Sequence, residues 1–95
     1  MSVRIVIVRH VPKEKAEELK PLLLEMRSRA NAQNGYVSGE TLVNFDDPSE
    51  YLVLSTWKTL KDWNLWLADA RRRELQLQVD QITGQETMYS VYYNG

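Results

Sequence analysis

The chain has 95 residues, enough for one small domain, and its 43% hydrophobic and 26% charged residues are typical of a globular protein. Twelve basic and 13 acidic residues leave a formal net charge of −1, so no overall positive field attracts nucleic acid or an anionic membrane. The absence of cysteine excludes disulfides, thiol catalysis and thiolate metal sites. No apolar run approaches a signal peptide or a membrane span, so we expect a cytoplasmic protein.

The first predicted element is a strand over residues 3–11, which is rich in β-branched residues. Side chains alternate along a strand, so Val3, Ile5 and Ile7 share one face, whereas Val6 and Val8 share the other. Both faces are therefore largely apolar, although a strand with water on one side has a polar face. We expect both faces to be covered, one of them by a second subunit.

A helix is predicted from Lys13 to about Ala32, where apolar residues recur at spacings of three and four. Pro12 suits its first turn. Pro21 lies inside the pattern and should kink the helix or split off its first turns. The Asn34-Gly35 pair predicts its end, as a left-handed cap or turn.

A hairpin follows, with predicted strands over residues 36–45 and 51–57 and a turn at 46–49. Gly39, inside the first of these strands, predicts a bulge or a point of close contact.

The second helix is predicted to begin after Thr59, a suitable N-cap residue, and to be capped again at Asp69. Trp63 and Trp66 lie on its apolar stripe. Gly84 is its expected stop, and residues 86–93 form the last predicted strand.

The order β-α-β-β-α-β is that of a ferredoxin-like α+β subunit with an antiparallel sheet, and we expect residues 1–95 to form a single domain. Two helices can cover one face of this sheet. The other face is then available to a symmetry mate, so we expect a two-fold homodimer. We predict contact through the face of Val3, Ile5 and Ile7.

Few residues suggest chemistry, because the chain has no glycine-rich phosphate loop, dinucleotide fingerprint or spaced metal-ligand set. We therefore expect no cofactor and no metal. His10, the only histidine, is the candidate general base near neutral pH. The alternative is a histidine at the rim of the sheet with its ring in water. Arg71, Arg72 and Arg73 are expected to form a solvated helix face, with anion binding as the alternative.

Trp63 and Trp66 have two interpretations. An aromatic stripe at this spacing is common in a plain core. The spacing therefore favours core for this pair, with the wall of a ligand pocket as the alternative.

The segment from Gly35 to Leu42, and the segment from Tyr51 to Leu67 with its three tryptophans, resemble the antibiotic biosynthesis monooxygenase (ABM) domain family. The Val11-Pro12 step into an acidic helix matches as well, so the resemblance covers nearly the whole chain. It implies a dimeric α+β barrel with a pocket between sheet and helices in each subunit. Some members oxidise phenolic or quinol-like polyketides with O₂ and without metal or flavin.

One branch of this family degrades heme, with an Asn on the first strand, the Trp of the Trp-Leu pair, and an iron-binding His ten residues after it. Trp66 matches the second of these, but Val6 stands at the Asn position and Gln76 at the His position. Glutamine is a poor iron ligand beside imidazole. The resemblance therefore does not support heme degradation.

Two functions follow as hypotheses. The first is a cofactor-independent monooxygenase that binds an aromatic, phenol- or quinol-like substrate and oxidises it with O₂, with His10 as the base. Its predicted substrate-binding residues are Trp66, Trp63, Val6, Val8 and Tyr89. The second is a dimeric small-ligand-binding or protective module without turnover, since the chain offers so few groups for proton transfer.

Overall fold

The computed structural model describes residues 1–95, in which one four-stranded antiparallel sheet carries its helices on a single face. The spatial order of the strands is β2-β3-β1-β4. A short 3-10 turn at Lys13–Lys15 precedes the first helix. The elements in chain order are β1 (Val3–His10), α1 (Ala16–Asn31), β2 (Tyr36–Val43), β3 (Glu50–Trp57), α2 (Leu60–Leu67), α3 (Ala70–Thr83) and β4 (Met88–Tyr92). The predicted ferredoxin-like order is confirmed, with the second helix in two pieces.

The helix ends predicted at Thr59, Asp69 and Gly84 are confirmed. The side-chain oxygen of Thr59 accepts a hydrogen bond from the backbone N–H of Asp62 at 3.1 Å, which caps α2. Asp69 caps α3 in the same way through the N–H of Arg72, at 2.9 Å. Gly84 ends α3 with a φ of 72°, a backbone conformation that favours glycine.

One local prediction differs from the structure, and for Gly39 the structure selects one of the two predicted alternatives. Pro21 does not break α1, which continues through it from Ala16 to Asn31; the 3-10 turn that is split off comes earlier. The irregularity of β2 falls between Tyr36 and Ser38 rather than at Gly39. Gly39 is the predicted point of close contact, since a side chain there would collide with the hydroxyl of Tyr36.

The predicted dimer contact through Val3, Ile5 and Ile7 is corrected by the structure. These side chains are only 5%, 0% and 8% exposed within a single subunit, because they pack against the tryptophans of the same chain. The prediction assumed that they lacked intramolecular cover, but α2 places Trp63 and Trp66 directly over them. We call this side of the sheet the inner face and the opposite side the outer face.

The outer face has no cover within the subunit. Cross-strand pairs join Val6 to Leu54 and Val8 to Leu52, so the apolar residues of neighbouring strands are contiguous. The exposed or half-buried apolar residues on this face are Val6, Val8, Leu42, Leu52, Leu54, Met88 and Tyr92.

Helix α1 is held over the sheet mainly through α3. The two helices share a second core of five buried residues, Val11, Leu19, Met26, Leu75 and Val79. An ion pair reinforces this contact: Arg71 donates from Nε and Nη2 to the two carboxylate oxygens of Glu25, at 2.8 and 3.0 Å. Arg29 donates to the same carboxylate at 2.7 Å. These contacts position α1 as the roof of the space above the inner face.

The carboxylate of Glu25 should make stability depend on pH. Hydrogen bonds from Arg71, and then from Arg29, lower the pKa of Glu25 from 4.5 to about 2. Because the folded-state pKa lies below the unfolded value, the stabilisation is present above pH 4.5 and is lost as pH falls towards 2. We expect Glu25→Gln to weaken this loss of unfolding free energy, measured by urea denaturation across that range. An unchanged pH profile in the variant would contradict the assignment.

Candidate active site

A cavity of about 450 Å³ lies between α1 and the inner face of the sheet, a volume suited to a small organic ligand. Its sheet side is formed by residues of β1, β2 and β3, and its roof by one side of α1. The apolar side chains around it include Ile7, Leu23, Met26, Ala30, Tyr36, Val53, Trp57, Trp63 and Trp66. Its walls are therefore mostly apolar and aromatic.

The tryptophans belong both to the core and to the cavity wall. Trp57 packs edge-on against Tyr36 and Trp63, with ring centroids 5.4 and 5.8 Å apart. Its indole N–H donates to Ser55 Oγ at 3.1 Å. The N–H groups of Trp63 and Trp66 have no such partner, yet no fully buried side-chain N or O atom of the protein lacks one. Both N–H groups are therefore at least partly accessible and have no protein partner.

Arg9 is a charged residue on the inner face of β1, only 6% exposed, and it lines the cavity. Its Nη1 donates to Gln76 Oε1 at 2.9 Å and to Thr87 Oγ1 at 3.3 Å. Burial lowers the pKa of Arg9, and the nearby positive charge of Arg72 lowers it further, against the raising effects of Tyr89 and Asp80. An arginine remains protonated at neutral pH even so.

Arg72, on α3, is a second buried guanidinium at the cavity and is 4% exposed. Its Nη1 donates to the carbonyl of Leu67 at 3.2 Å, and its Nη2 donates to the hydroxyl of Tyr89. The guanidinium also lies 5.0 Å from the ring centroid of Tyr89 and 6.0 Å from that of Trp63, within reach of a cation–π attraction. Neither Arg72 nor Arg9 forms an ion pair with a carboxylate.

Gln76 joins the surroundings of the two arginines. Its Oε1 accepts from Arg9 and from the hydroxyl of Tyr89, the latter at 2.8 Å. Its Nε2 donates to Asp80 Oδ1 and to Thr87 Oγ1, both at 2.7 Å. Gln76 stands at the position where the heme-degrading branch has its iron-binding His. In this protein its side chain forms hydrogen bonds with buried polar groups.

The structure divides the predicted site residues into two groups. Trp63 and Trp66 line the cavity, and Tyr89 packs beside them and contacts Arg72. Val6, Val8 and His10 lie on the outer face of β1, because they alternate with the buried inner-face residues. The Nδ1 of His10 is 3.4 Å from Ser49 Oγ and the histidine does not line the cavity. The substrate contacts and the catalytic role predicted for these residues stay predictions.

Sequence reasoning did not select Arg9 or Arg72 as site residues, although a signal was present. Arg9 continues the apolar inner series of β1, and Arg72 precedes Leu75 and Val79 by three and seven residues on the buried side of α3. A charged residue in an apolar periodic position is an informative exception, because burial of an unpaired charge is unfavourable. Of the arginine triplet, only Arg73 is exposed as the solvated-face interpretation expects; Arg71 is half-buried in its ion pairs.

No group of three or more His, Cys, Asp or Glu side chains in the structure could hold a metal ion. Likewise, none of the helices combines the length and the apolar character that a membrane span requires.

The subunit therefore combines a ferredoxin-like α+β fold with a partly open, aromatic-lined cavity that contains a few polar groups. The model of the antibiotic biosynthesis monooxygenase family matches residues 2–76, and the chain belongs to this family. Every residue that lines the cavity falls inside the matched segment.

Solved structures with the same fold include a conserved protein from Methanosarcina mazei, with a TM-score of 0.90 and 17% identity over 100% of this chain and 94% of the other. Another is SnoaB, a cofactor-independent oxygenase from Streptomyces nogalater, with a TM-score of 0.85 and 14% identity over 99% and 93% of the two chains. At these identities the likeness shows the fold alone. No curated protein matches the chain.

Proposed function

We propose that the protein is a cofactor-independent monooxygenase that oxidises an aromatic, phenol- or quinol-like molecule with O₂ inside the cavity. The observation that carries the proposal is the cavity itself, which places three tryptophans and two buried guanidiniums around a space of about 450 Å³. Membership of the antibiotic biosynthesis monooxygenase family supports it, as does the likeness to a cofactor-independent oxygenase.

The reaction can be written for an anthrone, an aromatic ketone with a reactive ring CH₂. Loss of a proton gives a delocalised anion, whose electrons reduce O₂ as a C–O bond forms. The resulting hydroperoxide loses water to leave a second carbonyl, so one oxygen atom stays in the product and the other leaves as water. Both reducing equivalents come from the substrate, and no further reductant is needed.

The cavity residues favour the charged species along this path. The positive charge of Arg72, in a site of low dielectric constant, favours the substrate anion over its neutral form. The unpartnered indole N–H groups of Trp63 and Trp66 can donate to a developing oxyanion. The rings themselves supply flat walls for a planar substrate. Positioning and charge stabilisation are thus the contributions of this chain.

The role of His10 can be tested by oxygen uptake with an anthrone, measured against the spontaneous rate without protein. Because His10 lies on the outer face, we expect His10→Ala to keep uptake within about twofold of wild type. Loss of a general base lowers rates by about 10²–10⁴-fold, so a decrease of that size in His10→Ala would show that His10 acts as the base. Uptake no faster with protein than without it, for both anthrones and quinols, would contradict the proposed activity.

A binding or protective module without turnover is the second candidate. The observation that favours it is the absence of histidine from the cavity lining, which leaves proton removal to water or to the carboxylates Glu17 and Glu40 at its edge. Saturable quenching of tryptophan fluorescence by an anthraquinone, together with no oxygen uptake from the matching anthrone, would favour this function over the oxygenase.

We also infer that two copies of the chain associate through the outer face. Its contiguous apolar residues from β1, β2 and β3 have no other cover, and a subunit of this size gains stability from a partner. We expect Leu54→Lys to reduce the mass in solution from twice the 11.1 kDa subunit to one subunit, measured by light scattering. Leu65→Lys, the same change at a residue that is 63% exposed on α2, is the control. A wild-type monomer would contradict this association.

A further inference from the structure

We propose that the ligand of the cavity carries a carboxylate, and that this carboxylate forms two parallel hydrogen bonds with the Nε–Nη2 edge of Arg9. The inference rests on the proposed function for the location of the site and specifies the substrate class further: a planar aromatic acid rather than a neutral phenol.

The first observation is an unused edge of a buried guanidinium. Arg9 makes its two hydrogen bonds from Nη1, to Gln76 and Thr87, and none from Nε or Nη2. Since no fully buried nitrogen or oxygen of a side chain lacks a partner, these two nitrogens touch open space. Arg9 is only 6% exposed and lines the cavity, from which we infer that this edge faces the cavity.

The second observation is the excess of positive charge at the cavity. Arg9, Lys20, Arg27 and Arg72 line it, against Glu17 and Glu40. The two acidic residues form no ion pair with either buried arginine. Two guanidiniums near each other without a carboxylate partner are unfavourable in a low-dielectric site. A bound anion supplies a countercharge in direct contact with the guanidinium.

One internal carboxylate, Asp80, acts on Arg9 through its charge, which raises the pKa of Arg9, but it makes no direct ion pair with the guanidinium. Asp80 accepts hydrogen bonds from Gln76 and from the Thr87 hydroxyl, at 2.7 and 3.1 Å, and these two residues separate it from Arg9. The same two residues also hold Nη1 of Arg9. The guanidinium is thus fixed in orientation before a ligand arrives, which lowers the entropy that binding must overcome.

A carboxylate fits this edge better than other acceptors. The Nε–H and Nη2–H bonds of arginine are parallel, at the spacing of the two oxygens of a carboxylate. A phenol or a quinone carbonyl presents one oxygen only. With the carboxylate at Arg9, the aromatic body of the ligand lies among the tryptophans, and Arg72 remains free to favour charge on the ring.

The test compares two ligands of nearly the same shape, anthraquinone-2-carboxylate and anthraquinone-2-carboxamide, by quenching of tryptophan fluorescence. We expect wild-type protein to bind the carboxylate about tenfold to a hundredfold more tightly, the range of a charge-assisted pair. Equal affinities for the two ligands in wild type would overturn the proposal, and this comparison requires no variant to fold.

Variants then locate the site. Arg9→Lys retains the charge but lacks the planar edge, and we expect it to lose most of the preference for the carboxylate. Arg73→Gln, a loss of charge at an exposed residue of α3, should retain the preference. Circular dichroism would establish that each variant is folded. A folded Arg9→Lys variant with the full wild-type preference would overturn the assignment to Arg9.

The outcomes for the site and for the reaction are separable. Preference for the carboxylate without oxygen uptake from any anthrone would support the carboxylate site and contradict the oxygenase. Oxidation of neutral quinols together with equal binding of acid and amide would support the oxygenase and overturn the carboxylate site.

Discussion

Trp63→Ala is expected to lower the free energy of unfolding by about 3–5 kcal/mol, the range for truncation of a buried aromatic side chain. Trp63 is 2% exposed and its ring lies 5.8 Å from that of Trp57 and 6.1 Å from that of Tyr89. It joins α2 to the inner face of the sheet. The total free energy of unfolding of a small domain is only about 5–15 kcal/mol, so this one change should remove a large part of the stability of the protein.

Urea denaturation followed by circular dichroism measures the effect. Leu65→Ala is the matched control, since Leu65 lies two residues away on α2 and is 63% exposed. We expect it to change the unfolding free energy by no more than about 0.5 kcal/mol. Similar effects of the two substitutions would show that Trp63 is not central to the core.

Ala30→Leu is expected to block the cavity while leaving the fold intact. Ala30 is half-buried on α1 and lines the cavity, so a larger side chain there can enter the empty volume rather than displace packed atoms. We expect affinity for an anthraquinone, and oxygen uptake with an anthrone, to fall more than about tenfold, the loss of about 1.4 kcal/mol of binding. The unfolding free energy should stay the same or rise, as for other cavity-filling changes.

Ala32→Leu is the control for this experiment, with the same substitution at an exposed residue two positions further along the chain. We expect its affinity and uptake to match those of wild type. Equal ligand binding by Ala30→Leu and Ala32→Leu would mean that the ligand lies outside the cavity.

The order of the elements could be predicted from the sequence, because periodicity, caps and turns are local properties. Thr59, Asp69 and Gly84 each mark a helix end in the structure as their residue types predict. These signals depend on a few neighbouring residues and are independent of how the helices pack. They also determine that α2 and α3 are separate pieces.

The assignment of the two sheet faces could not be predicted, because both sides of β1 are apolar. Ile7 and Val8 are adjacent and equally hydrophobic, yet one lies under the helices and the other on the outer face. Only the tertiary placement of α2 decides between them. The prediction from sequence assigned the two faces the other way round. It therefore placed Val6, Val8 and His10 in the predicted pocket.

The same reversal concealed the polar part of the site. With the inner face taken as the side of Ile5 and Ile7, the next inner residue is Arg9, not His10. Val6 stands at the Asn position of the heme-degrading branch, and its inner-face neighbours are Ile5 and Ile7. This part of β1 therefore has no amide side chain that could contact a heme. The contact of Gln76 with Arg9 could not be predicted from the sequence either, because it joins residues 67 positions apart and depends on long-range packing.

The most direct test of the proposed activity is the mass of the quinone formed from an anthrone under isotope-labelled O₂. The mechanism predicts that wild-type protein and Ala32→Leu accelerate formation of a product containing one labelled oxygen atom, whereas Ala30→Leu does so much more slowly. Product formation at one rate in all three proteins, equal to the rate without protein, would contradict oxidation inside the cavity.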